Sequence, residues 1–146
     1  FSRFGSRLLV MVVAWLASAC TADFGRRERL AVDFAAGTVG VAELRDAAVG
    51  GDVVAQFLLG LALEHGQGTA VDLGAAHEWY QRAAQNGHAA AQNNLGLLYF
   101  DGRGVERSYP LALSWFERAA QAGFEKAHAN LGVMHLYGHG VPQDPA

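Results

Sequence analysis

The chain repeats itself every 36 residues, and the positions that return are those where helices pack. Ala55, Gly60, Gly66 and Gly68 come back as Ala91, Gly96, Gly102 and Gly104, and again as Ala127, Gly132, Gly138 and Gly140. Aligned without gaps, 55–90 and 91–126 share 14 of 36 residues. A period of this length means stacked supersecondary units, each burying its apolar face on its neighbours. The sequence therefore predicts an all-α helical repeat array, a class whose usual work is binding.

One unit can be read in detail. After Ala91, the residues Leu95, Leu98 and Tyr99 fall on one stripe of a first helix. Asp101-Gly102-Arg103-Gly104 breaks it: a glycine just past a helix end supplies the left-handed cap, and a second lets the chain reverse. Val105 follows as an apolar plug, and Ser108 is the expected N-cap of a second helix with Pro110 in its first turn. Asp72 and Asp144 hold the same position as Ser108, and Pro145 follows Asp144. On the second helix Ala112, Trp115, Phe116, Ala119 and Ala120 share a face that Gly123 closes, as do Ala76, Trp79, Tyr80, Ala83, Ala84 and Gly87 one repeat earlier. The small residues Gly60, Gly96 and Gly132 are expected to face the alanines, with the aromatics filling the space between repeats.

Upstream, 41–48 followed by Gly50-Gly51 reads as the second helix of a degenerate first unit, with 26–36 as its partner and 37–40 as the turn. It lacks both the Gly-x-Gly loop and the Trp, as suits a terminal cap with one solvent-facing side.

The first 20 residues have a different character. Arg3 and Arg7 precede the apolar run 8–16, and Ala17-Ser18-Ala19 leads into Cys20, the only cysteine. These are the charged, apolar and small-residue regions of a secretory signal. The apolar run is too short to span a bilayer, which takes roughly 20 residues. The small residues before Cys20 resemble a bacterial lipobox, in which the cysteine is acylated, although the preferred Leu stands one place early as Leu16. Lipid attachment at Cys20 and plain cleavage after Ala19 are both open, as is retention of the segment as an anchor or helix. One cysteine excludes a disulfide framework. The net charge of −3 becomes −5 without Arg3 and Arg7, and no clustered basic face argues for nucleic acid. Starting without Met and stopping inside a repeat, the sequence reads as part of a longer protein.

The pattern in Ala91-Gln-Asn-Asn-Leu-Gly-Leu-Leu-Tyr99, Gly102-Arg-Gly-Val105 and Trp115-Phe-Glu-Arg-Ala-Ala-Gln-Ala-Gly123 resembles the Sel-one-like repeat, a relative of the tetratricopeptide repeat. The resemblance covers 55–146 and, more weakly, 41–51. It implies an α/α right-handed solenoid of antiparallel helix-turn-helix repeats and a role as adaptor or scaffold. Thr69 departs from the loop valine, Leu63 and His135 from the tyrosine, and the third unit lacks a second helix. The expected organisation is a signal at 1–19, a linker at 20–25, a capping helix pair at 26–54, repeats at 55–90 and 91–126, and a partial repeat at 127–146.

Chemistry-bearing residues are sparse. His135 and His139 have the four-residue spacing of helical metal ligands, but Gly138 and Gly140 should end the helix there, and no Cys or Glu completes a site. His65, His77, His88 and His128 read as surface positions. Some cysteine-rich relatives of the family have been linked to penicillin binding or hydrolysis, yet no serine here has a lysine three residues later. The Gly-x-Gly turns follow helices and lack the third glycine of a dinucleotide loop. No catalytic residue, metal or cofactor is expected.

What remains is surface. In solenoids of this kind the first helices line the concave side, a common binding surface. Gln56, Gln92 and His128 form one periodic row there, and Asn94 and Asn130 another. An asparagine offers both donor and acceptor, so such a row could hold a peptide backbone, or could instead bond between adjacent repeats. Tyr109 and Phe124 are either exposed aromatic anchors or buried. Leu131 and Met134 are expected to be partly exposed, since no second helix follows them. The reading is an exported scaffold, periplasmic or lipid-anchored at the outer membrane, that binds a protein or peptide and not nucleic acid. Its alternatives are a cell-wall or penicillin-interacting enzyme whose catalytic part lies outside 1–146, or a structural or regulatory spacer.

Overall fold

The computed structural model describes residues 25, 29–37 and 39–141, and the chain divides into two compact units, Phe1–Thr38 and Val39–Ala146. The signal, Cys20, and the capping pair Asp144 and Pro145 lie outside the described residues. In the first unit a helix, α1, covers residues 29–35 and ends at Gly37.

Among its described residues the second unit holds six helices in antiparallel succession: α2 (Val41–Val49), α3 (Val53–His65), α4 (Leu73–Gln85), α5 (Ala89–Asp101), α6 (Tyr109–Gln121) and α7 (Glu125–Tyr137). Each packs on the next in sequence. No strand occurs among the described residues, and no described helix is long and apolar enough to cross a membrane. The fold is an all-α repeat solenoid. The first helices begin at Val53, Ala89 and Glu125, two residues before the frame set by Ala55, Ala91 and Ala127.

Local chemistry places the helix ends. Asp72 Oδ1 accepts from Ala75 N–H at 2.9 Å to start α4, and Ser108 Oγ accepts from Leu111 N–H at 3.4 Å to start α6. Gly66, Gly102 and Gly138 cap α3, α5 and α7 in the left-handed conformation. The second glycine of each loop also makes a stacking contact. A Cβ on Gly104 would stand 2.6 Å from the Leu73 carbonyl oxygen, one on Gly140 2.8 Å from that of Tyr109, and one on Gly68 3.1 Å from Val41 Cγ2. Each loop thus sits on the start of the preceding second helix, and at Gly104 and Gly140 the approach is one only glycine permits.

The core differs from expectation in one respect. Gly60 and Gly96 face rings, not alanines: their Cβ positions lie 2.5 Å from Tyr80 Cδ1 and 2.6 Å from Phe116 Cε1. The aromatic of each second helix is therefore laid on the bare backbone of the first helix of its own repeat. Tyr80 and Phe116 are almost fully buried, with Ala76, Ala83, Ala112 and Ala119 beside them on α4 and α6. Trp79 and Trp115 are half-buried instead, with the Arg82 and Arg118 guanidinium carbons 4.6 and 4.8 Å from their ring centroids.

At α7 the expected exposure is corrected at Met134, which is fully buried with Ala112 and Phe116, while Leu131 is partly exposed and packs against that cluster. The reason is that α6 already covers this side of α7. The open side carries Val133, Leu136 and Tyr137, together with Gly132, whose Cβ position has nothing within 4 Å.

Candidate interaction surface

The first helices α3, α5 and α7 carry both periodic polar rows, and the structure assigns the rows different work. Gln56 and Gln92, in the first turns of α3 and α5, are buried. Gln56 Nε2 donates to Ala48 O at 3.2 Å and Gln92 Nε2 to Ala84 O at 3.1 Å. Each acceptor lies in the last turn of the preceding second helix, where carbonyls have no partner within the helix. These glutamines therefore staple successive units, and their buried Oε1 atoms have no protein partner. His128, in the same register on α7, is exposed.

The asparagines pair across repeats, one residue away from the expected row. Asn130 Nδ2 donates to Asn93 Oδ1 at 2.8 Å, and Asn93 is buried. Asn94 is half-buried beside the Tyr80 hydroxyl, where its hydrogen bond draws the phenol slightly back down. The larger effects on Tyr80 go the other way: burial first, then donation of its O–H to Glu64 Oε2 at 2.6 Å, hold the phenol far above its ordinary value of 10.0. Glu64 also accepts from Arg103 Nη1 at 3.0 Å through Oε1. Glu64, Tyr80 and Arg103 thus form a polar clamp between the first and second repeats.

The next junction uses different chemistry at the same positions. Phe100 replaces Glu64 and His139 replaces Arg103. The His139 ring stacks on Tyr109 with centroids 4.3 Å apart and meets Phe100 edge-on at 5.7 Å. Tyr109 is therefore a packed element of this cluster, and Phe124 is half-buried at the start of α7. His139 is part of the loop beyond Gly138, while His135 is exposed on α7. Among the described residues, no three of His, Cys, Asp and Glu gather to hold a metal.

Two histidines read as surface positions are structural. His77 Nε2 lies 3.0 Å from the Tyr99 hydroxyl, and burial, opposed by Glu78, lowers its proton affinity. His88 Nδ1 accepts from Ala91 N–H at 3.2 Å and caps α5. Periodicity could not reveal these roles or the Glu64 clamp, because the counterparts of His88 are Asp52 and Phe124, and those of Glu64 are Phe100 and Leu136.

Residues 53–88, 89–124 and 125–146 match the Sel1 repeat. The chain belongs to the Sel1 repeat family. Among solved structures, it is similar to a Sel1 repeat protein from Oxalobacter formigenes, with a TM-score of 0.72 and 33% identity over 82% of this chain and 52% of that one. It is also similar to c5321, a protective antigen of uropathogenic Escherichia coli strains with an SLR fold, with a TM-score of 0.69 and 40% identity over 73% of this chain and 23% of that one. The chain thus spans about half of the first neighbour and under a quarter of the second. No curated protein matches it. Sel1 repeat proteins generally act in protein–protein interaction, and the Sel1 fold is typically non-catalytic.

Proposed function

We propose that this Sel1 repeat chain is an exported, non-catalytic scaffold that presents the faces of its first helices to a protein or peptide partner in the bacterial envelope. The observation that carries this reading is a constant interior under a varied surface. Gly60 with Tyr80 and Gly96 with Phe116 repeat the same packing, and Gln56 and Gln92 repeat the same staple. Around that frame the less buried positions change from unit to unit, as in the row Gln67, Arg103 and His139. Stacked repeats separate these roles because stability comes from the contacts between units, which frees the outward positions for recognition.

The reading is tested by placing a photo-crosslinking residue singly at Asn94, His128 or Glu117 in cells producing the full-length protein. Crosslinks to one defined protein from 94 and 128, but not from Glu117 on α6, support it. Crosslinks equally from all three, or from none, overturn it. Export rests on the segment from Arg3 to Cys20, and the mass of the mature N-terminus tests it. A diacylglyceryl group on Cys20 means a lipoprotein, an unmodified Cys20 terminus means a free periplasmic protein, and an intact leader removes the export claim.

A further inference from the structure

His88 occupies the position that Asp52 holds one repeat earlier and Phe124 one repeat later. Asp52 caps α3 through a carboxylate oxygen 2.9 Å from Ala55 N, and Phe124 supplies no side-chain cap to α7. His88 caps α5 with a ring nitrogen, and its ring also stacks on Phe57 of α3, with centroids 4.5 Å apart and planes 26° apart. Its backbone N–H donates to Ala83 O at 3.0 Å. One residue thus joins three helices, its backbone bonding the end of α4 and its side chain meeting the start of α5 and the flank of α3.

Capping the Ala91 N–H requires the Nδ1 lone pair, and so a neutral imidazole that carries its proton on Nε2. A second proton can bind only at Nδ1. The proton and the backbone amide compete for the same lone pair, and burial acts in the same direction by holding the imidazole below its ordinary value of 6.5. The ionisable groups on the surrounding helices are Asp52 at the start and Glu64 and His65 at the end of α3, His77, Glu78, Tyr80 and Arg82 on α4, and Tyr99 and Asp101 on α5. Glu64 is held by Tyr80 and Arg103. His77 differs from His88, since the Tyr99 hydroxyl can turn from donor to acceptor and keep its hydrogen bond to a protonated ring.

We propose that the junction between the first two repeats is an acid-sensitive hinge, released when a proton takes the His88 nitrogen that caps α5. Opening the start of α5 frees an imidazole that binds a proton more readily than the folded one does. The open state therefore gains protons as the pH falls, so the junction is fully stable above about pH 6.5 and weakens below it. One pH unit below the free imidazole value raises the opening by up to about tenfold.

Amide hydrogen exchange of the complete chain at pH 7.5 and 5.5, corrected for intrinsic exchange, tests the hinge. The expected result is more opening in the first turns of α5 at pH 5.5, by up to about tenfold, with α6 and α7 little changed. H88D restores the carboxylate cap of Asp52 and should remove the response, and H88N, an acceptor that does not titrate, should do the same if H88D folds poorly. An equal response in these variants, a uniform loss of protection from α3 to α7, or no response in the native chain each overturns the proposal.

Discussion

The ring of Phe116 lies against the bare backbone of Gly96, with Cε1 only 2.6 Å from where a Cβ would stand. That contact sets how closely α6 approaches α5. Gly96→Ala pushes a methyl group into the ring and should destabilise the protein by about 1–3 kcal/mol, as overpacked cores do. Gly132 has the same register on α7 with nothing within 4 Å. There, Ala only improves helix propensity, and G132A should raise stability by up to about 1 kcal/mol. Urea unfolding of the two variants checks the pair, and equal effects would show that the ring contact does not govern packing.

Gln92 is predicted to be a staple and not a ligand contact. Gln92→Ala removes the bond from Nε2 to Ala84 O, which then keeps only its bond from the Gly87 N–H. The expected cost is about 0.5–1.5 kcal/mol, read from the shift in urea midpoint. His128→Ala, at the exposed counterpart, should change stability by less than about 0.5 kcal/mol.

The polar clamp can be dissected by a double-mutant cycle. Tyr80→Phe reproduces the residue found at 116 and removes the O–H donor to Glu64, at a cost of about 1–2 kcal/mol. Arg103 is 44% exposed, so solvent screens its pairing with Glu64, and Arg103→Ala should cost no more than about 1 kcal/mol. Because both partners act on the two oxygens of Glu64, the costs should not add.

The two loop caps are predicted to be unequal. Asp72 accepts from Ala75 N–H at 2.9 Å, while Ser108 accepts from Leu111 N–H at the longer 3.4 Å. Asp72→Ala should cost about 1 kcal/mol near neutral pH, and Ser108→Ala about 0.5 kcal/mol. Thermal melts at pH 7 compare them.

Much of the architecture was legible before any coordinates, because recurring glycines and alanines mark turns and close contacts whatever surrounds them. Gly66 and Gly102 announced helix ends, and Asp72 and Ser108 announced helix starts. The caps at Asp52 and His88 were not legible. Their position holds Asp, His and Phe in successive repeats, so no shared residue type marks it. The Glu64 clamp was hidden for the same reason, and the Gln56 and Gln92 row was visible while its role was not.

By itself the sequence determined the period, the helix-turn-helix unit and the family, since these follow from local propensity and from spacing along one chain. Tertiary structure alone decided which periodic polar residues are consumed in stacking. A helix turns about 100° per residue, so a side chain one place along faces a different neighbour. Asn130 therefore meets Asn93 while Asn94 lies beside Tyr80, and Gln92 reaches back to Ala84 while His128 faces water.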